Sequence, residues 1–169
     1  MRLGLILLIG MFVLISPIAI QPILAVPPAS QALSFSLVDL NGKPVALSQF
    51  SNKVIVLAFW ATWCPPCVTE VPRLNRLQAD YASRGLQVIG ISLDDSSDTV
   101  KQFQSRHLMR YQVLMGTSSA QAAVGGIRAI PTLVILDRQH HLQHKLQGLQ
   151  SEERLHALLE PLVRAKTKG

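Results

Sequence analysis

Short apolar runs alternate along this chain with longer amphipathic stretches. Residues 35–38 and 45–47 flank Asn41-Gly42, two residues that tolerate positive φ, and so predict a β-hairpin. Val54–Trp60 is β-rich and continuous rather than alternating, the pattern of a strand covered on both faces. From Pro65 the period lengthens. Val71, Leu74, Leu77 and Tyr81 recur at helical spacing, with Arg73, Arg76 and Asp80 elsewhere on the wheel. Pro72 falls inside this helix and predicts a kink, and Gly85 is a stop residue beyond its end. Residues 86–93 read as a second buried strand, and residues 94–97 offer caps for a helix through about His107. A strand at 111–115, a short helical turn at 118–124 and a buried strand at 132–136 follow, the last with a hairpin partner at 142–146. Ser151-Glu152-Glu153 opens a final helix with its acids in the first turn. Strands alternating with helices predict an α/β fold, one sheet flanked by helices.

Hydrophobic residues make up 49% of the 169, a share inflated by the first 26. Arg2 precedes an apolar run at 3–15, then Ser16-Pro17, then a second apolar stretch at 18–26 interrupted by Gln21 and Pro22. Two readings stand for residues 1–26. A cleaved secretory signal would end at a small residue, with Ala25 available and Ser30-Gln31-Ala32 fitting the small-x-small pattern. An uncleaved membrane anchor would use about 20 residues of the same stretch. No cysteine lies near residues 20–32, so a lipid-modified anchor is not supported. Residues 27–32 read as a linker and 33–169 as one domain. Either reading of the leader places that domain outside the cytoplasm, secreted or membrane-anchored, where a disulfide persists. The net charge of +6 is scattered rather than clustered, which argues against a nucleic-acid surface.

The chemistry concentrates at Cys64 and Cys67, the only cysteines of the chain, set at the start of the predicted helix. Unpaired amides and the helix dipole there favour a thiolate, so Cys64 is the candidate nucleophile, with an exposed sulfur. Cys67, one turn inward and more buried, can close a small disulfide ring with it. A purely structural bridge across so short a loop would stabilise weakly. Zinc wants four ligands, and two thiols with scattered histidines do not supply them. His140, His141 and His144 fall in and after a turn and read as solvated hairpin residues, so no metal site is expected. Pro65 and Pro66 have no amide to donate toward Cys64, and they stiffen the turn.

A strand, then Trp63-Cys64-Pro65-Pro66-Cys67, then a Pro72-bearing helix, and much later Ala129-Ile130-Pro131-Thr132 before another strand: the combination resembles the thioredoxin superfamily over about residues 33–163. Within it the chain is most similar to the extracytoplasmic ResA/TlpA/CcmG-type disulfide reductases. The leading hairpin, the run from Lys53 to Cys67 and an insertion from Asp94 to Val113 carry that likeness. The resemblance implies a thioredoxin-like mixed β-sheet flanked by helices, with an N-terminal β-hairpin and a central α/β insertion. It also implies that Pro131 is a cis-proline opposite the sulfurs, with Ile130 offering backbone groups to a substrate strand. Trp63 is then rim packing that can contact a partner, and Trp60 core. Thioredoxin's buried aspartate maps to Ala58, and the glutamate that replaces it in ResA-like reductases maps to Glu70. Three residues from Cys67, Glu70 shares its helix face, and partial burial there would raise its pKa and let it relay the Cys67 proton. The alternative for Glu70 is a surface ion pair with Arg73.

The implied activity is thiol–disulfide oxidoreduction, reducing protein disulfides, with apocytochrome c haem-binding cysteine pairs as the implied substrate in cytochrome c maturation. The redox-active Cys64–Cys67 disulfide itself serves in place of a cofactor. The implied partners are protein dithiols and disulfides, a membrane thiol-electron donor of the CcdA/DsbD type, and the membrane through the N-terminal segment. Two other classes compete. A thioredoxin-like Cu(I) metallochaperone would typically have a three-residue gap between its cysteines and a distant ligand histidine. A peroxiredoxin would need a threonine three residues before its reactive cysteine, where this chain has Ala61.

Overall fold

The computed structural model describes residues 31–165, and the expected leader and most of the linker lie outside them. Strands β1 (Ser36–Asp39) and β2 (Pro44–Ala46) form the leading hairpin, followed by β3 (Val54–Trp60), α1 (Pro65–Tyr81) and β4 (Leu86–Ser92). Then come α2 (Ser97–Arg106), β5 (Gln112–Met115), α3 (Ser118–Ala123), β6 (Thr132–Leu136), β7 (Leu142–Gln147) and α4 (Glu152–Arg164). The strands form one seven-stranded sheet in the order β2-β1-β5-β4-β3-β6-β7. β3, β4 and β5 are parallel neighbours and every other pairing is antiparallel, so the sheet is mixed. The insertion between β4 and α3 contributes α2 and β5, and β5 joins the leading hairpin to the rest of the sheet.

β3 is buried at all seven positions because helices or chain segments cover both of its faces. Val54, Val56, Ala58 and Trp60 point into a core shared with α1, α2 and α4. Ile55, Leu57 and Phe59 point the other way, into a core closed by the leading hairpin and α3. In register, Trp60 pairs with Ser92 and Phe59 with Thr132. The carboxyl ends of β3 and β4 and the start of β6 therefore meet at one end of the sheet.

The leading hairpin forms around Asn41-Gly42. In the hairpin turn only Gly42 takes positive φ, at 81°; Asn41 does not, and the Asp39 carboxylate holds the turn by accepting the Asn41 and Lys43 amides. Pro72 lies inside α1, as its position predicts. His140 is not solvated. It is 8% exposed, its Nε2 lies 3.2 Å from the Phe50 carbonyl, and its own carbonyl accepts the Leu33 amide. The Asp137 carboxylate causes this by tightening the turn through the Gln139 and His141 amides, which folds His140 back onto the leading segment. His141 and His144 are half-buried.

Arg138 ties distant segments together by donating to the carbonyls of Asn52, Arg84, Val163 and Ala165. It can do so because Gly85 has no side chain: a Cβ there would stand 2.7 Å from the Arg138 guanidinium, and Gly85 also has a φ of +87°. Gly42 has a similar φ of +81° and open space around it. Gly85→Ala is therefore expected to cost more than Gly42→Ala, whose cost is the left-handed backbone alone, about 1–2 kcal/mol. Urea unfolding of both variants checks the order, with the midpoint falling at unchanged slope.

Candidate active site

Cys64 is the N-cap of α1, with extended backbone (φ −102°), and its Sγ accepts the Cys67 amide at 3.3 Å. Pro65 and Pro66 occupy the first helical positions, where a missing amide costs nothing because it would have no helical partner. The two cysteines form a disulfide, their Cα atoms 5.3 Å apart. Both are covered, Cys64 at 4% and Cys67 at 3% exposed, against the expectation of an exposed Cys64 sulfur. Half-buried Val68 and Ile130 pack against the cluster that holds both residues. Trp63, by contrast, is 69% exposed and stands at the rim, while Trp60 is core, 5.0 Å ring to ring from Phe103.

A second set of contacts, which local pattern does not reveal, fixes the turn between β3 and α1. The Asp94 carboxylate accepts the Thr62 amide at 2.9 Å, the Thr62 hydroxyl at 2.6 Å and the Ser92 hydroxyl at 2.7 Å. Next to it the Leu93 amide donates to the Trp60 carbonyl at 2.8 Å. Of residues 94–97 it is Ser96 that caps α2, its hydroxyl accepting the Thr99 amide, which leaves Asp94 to the tether. The only sequence signal for the tether is an acid placed just past the end of a strand that neighbours the motif strand.

The Ile130–Pro131 peptide bond is cis. Because Thr132 pairs with Phe59, these residues face the end of β3 from which the motif departs. The Gly148 amide donates to the Pro131 carbonyl at 2.8 Å, and the Thr132 hydroxyl donates to the Ala129 carbonyl. Lys145 reaches from β7 to the carbonyls of Val124, Gly125 and Gly126, pinning the loop that leads to this proline.

Glu70 is 2% exposed on the inner face of α1, and its Oε1 has no hydrogen-bond partner among the described residues. Burial pushes its carboxyl up to about 7, with the Arg73 charge and the Gln150 backbone only partly offsetting the lost hydration. The surface ion pair with Arg73 does not form; Arg73 donates instead to the Gln150 carbonyl at 2.7 Å. Ala58, to which the resemblance maps thioredoxin's aspartate, is buried between Leu133 and Gly90, and the buried carboxyl near the disulfide is Glu70 on the helix. The structure thus gathers Cys64, Pro65, Pro66, Cys67, Glu70, Ile130 and Pro131 at one end of the sheet.

The AhpC/TSA family model matches residues 28–145. The thiol-disulfide oxidoreductase ResA of Bacillus thuringiensis subsp. konkukian is 29% identical over 133 residues, 79% of this chain and 77% of its own. That of Halalkalibacterium halodurans is 27% identical over 130 residues, 77% of this chain and 74% of its own. Among solved structures, a thioredoxin-family thiol:disulfide interchange protein from Chlorobium tepidum superposes with a TM-score of 0.72 at 30% identity, covering 79% of this chain and 96% of that one. A secreted thiol-disulfide isomerase from Corynebacterium glutamicum gives 0.73 at 28% identity, covering 80% and 86%. With a thioredoxin-like sheet and a Cys-x-x-Cys disulfide capping its first helix, the chain belongs to the AhpC/TSA family and is a thiol–disulfide oxidoreductase.

Proposed function

We propose that this protein works outside the cytoplasm as a reductant of protein disulfides, with Cys64 as nucleophile, Cys67 as resolving thiol and Glu70 as the proton acceptor for Cys67. The observation that carries the reading is the helix end itself. Cys64 Sγ already accepts a backbone amide of α1, the donor a thiolate needs, and a buried carboxyl lies one turn behind the second sulfur.

In the reduced protein, the Cys64 thiolate attacks one sulfur of the partner's disulfide. A mixed disulfide forms and the other partner sulfur leaves as a thiolate. Cys67 gives its proton to Glu70 and attacks Cys64 Sγ. This closes the Cys64–Cys67 disulfide and releases the second partner sulfur, so two electrons pass to the partner. Exposed Trp63 and half-buried Ile130 offer the rim on which a partner strand settles. A membrane dithiol carrier of the CcdA/DsbD type would return the two electrons, and the apolar leader supports placement at that membrane. Haem-binding cysteine pairs of apocytochrome c are the substrate class favoured by the resemblance to ResA-type reductases. A peroxiredoxin role is disfavoured by Ala61, and Cu(I) delivery by the two-residue gap.

Reduced Cys67→Ser mixed with a peptide holding an intramolecular Cys-x-x-Cys-His disulfide is expected to accumulate a mixed disulfide through Cys64, seen by mass. Cys64→Ser is expected to give none. Trapping by Cys64→Ser alone would reverse the roles.

Glu70 also sets a stability slope. Its folded pKa of about 7 lies above the ordinary 4.5, so its contribution to stability is complete below about 4.5. That contribution is lost as pH rises through 7, because ionising the buried carboxyl costs the folded state roughly 3 kcal/mol. In the oxidised protein, where the cysteines do not titrate, Glu70→Gln is expected to gain on wild type by that order between pH 5 and pH 8. Urea unfolding at the two pH values checks it, and parallel behaviour of the two proteins would refute burial of the acid.

A further inference from the structure

The polar surroundings of Glu70 are unusual for a buried acid. Its Oε1 is unpartnered, yet a guanidinium lies one helical turn away and does not pair with it. Arg73 is half-buried and committed to the Gln150 carbonyl at 2.7 Å. Gln150 is itself only 5% exposed and cannot drift, since its side-chain amide donates to the carbonyls of Gln147 and Gly148. Gly148 in turn donates to the Pro131 carbonyl. The loop that holds Arg73 is therefore the loop that holds the cis-proline.

The other groups facing this acid do not replace the arginine. Tyr111, immediately before β5, is buried near Glu70 and stays neutral, because burial and that carboxyl both push its phenol up. The Gln150 backbone carries no charge. Glu152 and Glu153, at the start of α4, also feel Arg73, and as anions they supply no second cation. A directly paired arginine would lower the carboxyl's pKa further and loss of the cation would raise it, so a charge held beside the acid without pairing keeps it titrating near neutrality.

We propose that Arg73, tethered to the Gln150 carbonyl, is a positioning residue for the buried acid: it holds a positive charge beside Glu70 without pairing to it, so that the carboxyl can both take and release a proton. The inference deepens the proposed function and rests on Glu70 as the acceptor for Cys67.

The test follows the Glu70 side-chain carboxyl carbon by NMR through a pH titration of the oxidised full chain. Arg73→Gln is expected to raise the Glu70 midpoint by about one pH unit. Arg73→Lys, which keeps the charge, is expected to bring it back. Arg76→Gln, which removes an exposed cation of the same helix paired with Glu152, should leave it in place. Arg73→Met, which keeps much of the apolar stem, is the second neutral variant should Arg73→Gln fold poorly. An unmoved midpoint in the neutral variants, or an equal shift in Arg76→Gln, overturns the inference. A parallel readout separates it from the reading it rests on, namely the pH profile of mixed-disulfide resolution by Cys67. If the midpoint moves and that profile does not, the arginine's role stands and Glu70 as proton acceptor falls.

Discussion

The Asp94 carboxylate accepts both the amide and the hydroxyl of Thr62, and through these bonds the turn between β3 and α1 is fixed to the end of β4. Everything chemical depends on that fixture. The tether sets where α1 begins, and so places Cys64 as its N-cap with an amide aimed at Sγ. Because α1 starts there, the face one turn on points inward, which puts Cys67 and Glu70 in the core shared by β3 and α1. The start of β6 then brings Ile130 and Pro131 to the same end of the sheet, since Thr132 pairs with Phe59. A reactive helix end is thus held against the carboxyl ends of two parallel strands by a few buried bonds.

Burial does opposite work at the two ends of this site. At the rim, Trp63 is exposed and Ile130 half-buried, and a partner segment can cover both. Behind the sulfurs water is excluded, and the same exclusion that packs the core makes a negative charge on Glu70 expensive. The acid is consequently poised near neutrality, which suits the proposed exchange of a proton with Cys67. A surface glutamate at the same position would stay ionised and contribute little to that exchange.

Most of this architecture can be read from local pattern. The continuous apolar run of β3, the period change at Pro65 and the acids after Ser151 each predict their element because the cause lies within a few residues. The Cys64–Cys67 pair is legible for the same reason, being one helical turn apart, whereas Glu70 and Pro131 were marked out by the resemblance. What the pattern misses is long in sequence. Arg73 finds the Gln150 carbonyl 77 residues away, Asp94 finds Thr62 across 32, and Arg138 finds Asn52 across 86. The burial of His140 is likewise invisible locally, since a turn polar in composition folds back onto the Phe50 carbonyl. Cys64 was expected to be exposed because helix position predicts donors, whereas apolar cover comes from elements not yet placed.

The reduction potential of the Cys64–Cys67 couple, measured in defined thiol buffers at neutral pH, tests the account most directly. A dithiol that reduces protein disulfides and depends on a membrane donor should have a value near or below about −250 mV, on the thioredoxin side of the scale. A value near about −120 mV would make the protein an oxidant that donates its disulfide, and would contradict the proposed direction of electron flow.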